Sequence, residues 1–75
     1  MDIEIIRKLR LAYPFRQFYV ILKDGRRLFV GKPYHVAVAV DGSHLMICSD
    51  GPESHHLWPE ELADVDVLPA ARSSA

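Results

Sequence analysis

Four residues with metal-binding side chains fall within nine positions of one another: Cys48, Asp50, His55 and His56. Thiolate, carboxylate and imidazole are all zinc ligands. The spacing argues against a site, because there is no CxxC or HxxxH pair and adjacent histidines on a strand point to opposite faces. Loop histidines beside a buried cysteine explain the same residues, and neither a metal nor another cofactor is expected. Nucleophilic catalysis needs a base within reach of the nucleophile and a group that orients the base. Ser43-His44 falls in a tight turn, where neighbouring side chains diverge. Cys48 alternates with Met46 and is expected to face an apolar wall, where a thiol is unreactive. Glu60-Glu61 follows Pro59 at the start of a helical turn, where the helix dipole accounts for the acids. No glycine-rich phosphate loop and no cofactor fingerprint is present. The chain is not expected to be an enzyme.

A second set of residues is cationic and aromatic. Arg16, Arg26 and Arg27 lie near Tyr19, Phe29 and Tyr34, the composition with which small barrels hold single-stranded nucleic acid. The net charge of −1 and the isoelectric point near 6.4 weigh against a dedicated nucleic-acid binder, which is usually strongly basic. That net charge hides a split. Residues 1–35 hold eight of the nine Lys/Arg and residues 36–75 hold seven of the ten Asp/Glu. Such a split favours head-to-tail contacts or an anionic ligand on the basic side, unless the fold interleaves the two halves. Tyr19, Ile21 and Phe29 also alternate with Phe18, Val20 and Leu28, so they share the opposite strand face. Left uncovered, they form an apolar patch that calls for a partner. A non-catalytic protein-interaction or self-assembling module is therefore the first expectation, with a protein partner or a second copy as the occupant. Single-stranded RNA is the alternative. No membrane partner and no small-molecule substrate is inferred.

These side chains need elements to position them, and the hydrophobic periodicity predicts which. Ile3, Ile5, Ile6, Leu9 and Tyr13 fall on one stripe at helical spacing, with Asp2 as a cap and Pro14 as a stop. From Phe15 the period becomes two. Phe18, Val20 and Leu22 form the inward set of a first strand, and Asp24-Gly25 turns it into a second that carries Leu28 and Val30. Gly31-Lys32-Pro33 breaks the pattern. Val36, Val38 and Val40 mark a third strand, whose Ala37 and Ala39 suggest close approach of the helix. Asp41-Gly42-Ser43 is a turn, Leu45 to Cys48 a fourth strand, and residues 49–54 a polar loop. His55 to Trp58 reads as a short strand and Pro59 to Leu62 as one helical turn. Val65 and Val67, with Ala63, line one face of a last strand whose other face carries Asp64 and Asp66.

The run from Tyr13 to Arg26, continued through Val30 and Pro33, resembles a family of small uncharacterised bacterial proteins with a PFRxFxVxLxDGRxxxVxxP-like signature. The likeness covers roughly residues 9–48. This chain has Lys32-Pro33-Tyr34 where that family more usually has His-Pro-Glu. The resemblance implies a fold type and a bacterial source rather than an activity. The element order is similar to SH3-like and Sm-like barrels. The expected fold is thus mainly β (α+β): an N-terminal amphipathic helix and a small five-stranded antiparallel barrel. The alternative is an open antiparallel sheet with the helix on one face. Seventy-five residues suit a single domain, expected over residues 1–69, with residues 70–75 as a flexible tail. The lone cysteine excludes an internal disulfide, and no apolar run approaches the roughly 20 residues of a bilayer span. A cytoplasmic location is expected.

Overall fold

Ile3, Ile6 and Leu9 recur at the spacing that brings one face of a helix together, and Glu4–Leu11 form α1. The structure is a computed structural model and describes residues 2–48 and 54–69. Asp2 Oδ1 accepts the Glu4 amide at 3.0 Å, satisfying one of the donors that a helix start leaves open. The buried stripe is narrower than its spacing predicts. Ile5 is exposed, and Tyr13 is 99% exposed because the helix stops at Leu11. Ala12 already has extended geometry (φ −65°, ψ 144°) ahead of Pro14.

Six strands follow: β1 (Phe18–Leu22), β2 (Arg27–Val30), β3 (Val36–Val38), β4 (Leu45–Cys48), β5 (Ser54–Leu57) and β6 (Leu62–Val67). Single 3-10 turns at Pro33–His35 and Pro59–Glu61 precede β3 and β6. The strands make two three-stranded antiparallel sheets, in the orders β2-β1-β6 and β3-β4-β5. The inward residues of both meet in one cluster that includes Phe18, Val20, Val30, Val36, Leu45, Ile47 and Leu62, with Ile3 and Ile6 of the helix. The fold is therefore mainly β with one short helix, as expected. It is not the closed five-stranded barrel, nor one open sheet with the helix across it. The break lies between β2 and β3. Pro33 opens the 3-10 turn at this break, as Pro59 does where β5 and β6 part into different sheets.

Three further expectations are corrected. Val40 is 94% exposed rather than inward, because the Gly42 amide bonds Ala39 O at 2.9 Å and turns the chain before Val40 can join β3. The helix does approach β3, but at its backbone edge and not over Ala37, which is exposed: Arg10 Nε donates to Val36 O at 2.8 Å and Arg7 Nη2 to Ala39 O at 2.9 Å. Ala63 is exposed, because the register along β1 jumps from Ile21↔Asp64 to Leu22↔Leu62 and leaves Ala63 as the extra residue of a bulge. The expectations for residues 49–53 and for the tail at residues 70–75 fall outside the described residues. Among the described residues no helix is long and apolar enough to cross a membrane.

The β1–β2 turn forms as the Asp24-Gly25 pair predicts. Gly25 has φ 95° and its amide bonds Leu22 O at 2.9 Å, while Asp24 Oδ1 accepts the Arg26 amide at 3.0 Å. That amide, with the Arg26 guanidinium 2.8 Å from the other carboxylate oxygen, holds the Asp24 carboxyl below its ordinary pKa of 3.8. No Cβ is tolerated comfortably at this φ, least of all a branched one. Gly25→Val is therefore expected to cost about 1 kcal/mol or more, read as a lower urea midpoint at unchanged slope.

Candidate interaction groove

The phase of the β1–β2 ladder decides which backbone groups of β2 are left over. Leu22 N bonds Arg26 O at 2.8 Å, and the register continues as Val20↔Leu28 and Phe18↔Val30. In an antiparallel pair the bonded positions alternate, so Leu28 and Val30 face β1 while the amides and carbonyls of Arg27 and Phe29 face away from it. The other side of β1 agrees: Leu68 N bonds Gln17 O and Lys23 N bonds Glu61 O, both at 2.9 Å, so odd-numbered residues of that strand face β6. β2 ends its sheet. Among the described residues no strand covers this edge.

Beside the edge runs a groove of about 310 Å³, between β2 and the β4–β5 side of the second sheet. Its apolar wall is Leu28, Phe29 and Ile47; its polar lining includes Arg27, Lys32, His35 and His55, with Gln17 and Gly31 at one end. Among the described residues no carboxylate lines it. Gly31 has a steric reason to be glycine, since a Cβ there would lie 3.0 Å from the Phe29 ring edge. The ring, 43% exposed, closes that end of the groove.

The six residues singled out in the sequence do not form one surface. Tyr19 and Phe29 pair across the outer face of the first sheet at 5.1 Å between rings, and Arg27 lies over Tyr19 at 4.8 Å. The helix does not cover this face; it packs instead against β3 and the Pro33–His35 turn. Arg27 is also bonded to Asp66 Oδ2 at 2.8 Å, so here the basic and acidic halves of the chain do interleave. Arg26 turns back onto Asp24. Arg16 sits at the far end of the hairpin, roughly 20 Å along the strand from Arg26 at ~3.3 Å per residue, and donates to Leu68 O at 3.1 Å. Tyr34 is exposed in the 3-10 turn with the Lys32 ammonium 5.6 Å over its ring. Of the six, Arg27 and Phe29 reach the groove.

The histidines are placed otherwise than a metal site requires. His55 lines the groove and His56 points out of the opposite side of β5. Cys48, half-exposed, follows the outward Met46 in alternation with buried Leu45 and Ile47, and Asp50 lies outside the described residues. Among the described residues no three His, Cys, Asp or Glu side chains converge. Ser43 Oγ donates to Asp41 Oδ1 at 2.7 Å and meets His44 Nδ1 at 2.9 Å. The hydroxyl thus lies between carboxylate and imidazole, whereas base catalysis needs the imidazole between the other two. The Ser43 hydroxyl and then its amide hold the Asp41 carboxyl below its ordinary value.

Sequence reasoning missed one cluster, on the outer face of the second sheet. His56 stacks on Trp58 at 5.1 Å and 27°, and His44 stands edge-on to His56 at 4.8 Å and tilted to Trp58 at 5.4 Å. The β4–β5 register, Leu45↔Leu57 and Met46↔His56, brings these rings together. Alternation alone would have put them on one face, but not opposite one another.

No protein-family model, no curated protein and no solved structure matches the chain.

The contacts of Arg27 are exposed, and exposed ion pairs and cation–π contacts contribute little. Arg27→Gln is expected to shift unfolding free energy by less than about 1 kcal/mol. Leu62→Ala, at a fully buried position, is expected to cost about 2–5 kcal/mol. Urea titration of the two variants checks this; equal losses would mean that Arg27 holds the fold together.

Proposed function

We propose that the chain is a non-catalytic protein-interaction module that takes an extended polypeptide segment along β2. The observation that carries this reading is the open β2 edge, with the Arg27 and Phe29 backbone groups facing a groove walled by Leu28 and Ile47. A strand edge offers main-chain hydrogen bonds to any extended segment, and flanking pockets select its alternate side chains. The groove's volume is at the lower end of the roughly 300–1,000 Å³ of small-molecule sites, and its axis follows a strand. On this reading the six strands are an SH3-like barrel split open at the turn between β2 and β3, and the split creates the site.

Single-stranded RNA is the second reading. It is favoured by the exposed rings of Phe29 and Tyr34 beside Arg27 and Lys32, since bases stack on aromatic faces while cations hold phosphates. The pairing of Arg26 with Asp24 and Arg27 with Asp66 weighs against it, because a phosphate must compete with both carboxylates.

A displayed library of random extended peptides tests the first reading. Enriched peptides are expected to bind the wild-type chain and to lose binding to Phe29→Ser, a substitution at an exposed position. Binders indifferent to that substitution, or no binders at all, would contradict it.

A further inference from the structure

We propose that His44, Met46 and His56 form a binding site for Cu(I), a soft monovalent cation, on the outer face of the second sheet beside Trp58. The site is separate from the β2 groove, since His56 leaves β5 on the side opposite His55, and it stands independently of what occupies that groove. Register places the three side chains together. Ala39 N bonds His44 O, so His44 and Met46 direct their backbone groups to β3, while Leu45 and Ile47 direct theirs to β5. Met46↔His56 is then a pair without hydrogen bonds of its own, the kind whose Cα atoms lie closest, ~4.5 Å apart. All three side chains are outward: Met46 and His56 are exposed and His44 is half-buried. The His44 and His56 ring centres stand 4.8 Å apart. A cation held at ~2 Å by one nitrogen of each ring needs those centres on the order of 5 Å apart.

Hydrogen bonding leaves one nitrogen of His44 ready to ligate. The Ser43 hydroxyl, and then its amide, hold the Asp41 carboxyl below its ordinary pKa of 3.8, so at neutral pH it is ionised and only accepts. The single hydroxyl proton of Ser43 therefore goes to Asp41 Oδ1 at 2.7 Å, and Ser43 Oγ turns a lone pair to His44 Nδ1 at 2.9 Å. In that arrangement Nδ1 carries the proton, and the lone pair of the neutral ring lies on Nε2. An outer partner that fixes the tautomer in this way is the usual companion of a ligating imidazole. The ligand set decides the metal. Zinc takes four ligands from Cys, His and carboxylate side chains, and among the described residues no third such group joins the two imidazoles. A thioether beside two imidazoles is instead a set for Cu(I), which soft sulfur favours. Trp58, stacked on His56 at 5.1 Å, walls one side. Cys48 stands apart, because His56 packs toward Trp58 and His44 and away from the Cys48↔Ser54 end of the ladder.

Trp58 is the one tryptophan of the chain and reports on the site directly. The probe is Cu(I), added anaerobically to the full chain at neutral pH against a competing chelator, with Zn(II) in a parallel titration. The expected result is a one-to-one complex that quenches Trp58 fluorescence and shifts the NMR signals of His44, Met46 and His56, with Zn(II) held about tenfold more weakly or less. Met46→Leu is expected to weaken Cu(I) by about tenfold or more and to leave Zn(II) unchanged. His56→Phe keeps a ring on Trp58 but removes both nitrogens, and it is expected to abolish the complex. Ser43→Ala acts through His44: nitrogen NMR should show the ring proton no longer confined to Nδ1, and Cu(I) should bind about tenfold more weakly. Cys48→Ser should leave Cu(I) affinity as it was. Zn(II) bound as tightly as Cu(I), affinity lost with Cys48 instead of with Met46, or no quenching of Trp58 at micromolar Cu(I) would each overturn the proposal.

Discussion

Pro33 sets the terms for the rest of the structure. A proline interrupts a strand wherever its missing amide would have faced a neighbouring strand, and Pro33 has none to give. The chain makes a 3-10 turn over Pro33–His35 between β2 and β3, which belong to different sheets. Two three-stranded sheets have four outer edges, where a closed barrel hides most of its own. How the chain treats those edges distinguishes this molecule from a simple hydrophobic sandwich.

Two of the edges are treated in opposite ways. With Ala39 N bonded to His44 O, alternation turns the backbone groups of Val36 and Val38 to the outer side of β3. There Arg10 caps Val36 O, and Arg7 holds Ala39 O and, at 3.3 Å, Val40 O. The basic side of α1 is thus a clamp as well as a solvated face, and its hydrogen bonds from charged donors are of the stronger kind. β2 receives no such clamp among the described residues. Its edge carries charge and an exposed ring, devices that discourage indiscriminate pairing while leaving the backbone accessible to a complementary strand.

Much of this was legible in the residues. Phe18, Val20 and Leu22 alternate so strictly that their burial could be read directly, and Asp24-Gly25 announced the turn that Gly25 makes at positive φ. Ile3 and Ile6 were legible as core, whereas Tyr13 was not placed correctly, because periodicity does not show where a helix unwinds before a proline. The split into two sheets hinged on what Gly31-Lys32-Pro33 does in three dimensions, and a break in pattern does not tell whether the strand resumes in the same sheet. The groove was half legible. Arg27 and Phe29 were candidates for their chemistry, but His35, Ile47 and His55 join them only through packing between the sheets. The His44–His56–Trp58 cluster was hidden for a related reason: it depends on β4–β5 register, which the residues of two short strands specify weakly.

The account stands on the outer edge of β2 being open, and amide hydrogen exchange of the isolated chain reads that edge directly. Leu28 and Val30 donate toward β1 and should exchange slowly, while Arg27 and Phe29, their neighbours on the same strand, should exchange near the rate of an exposed amide. The predicted result is this alternation, fast at 27 and 29, slow at 28 and 30. Uniform protection of all four amides would contradict it, since it would mean that another strand already pairs with β2.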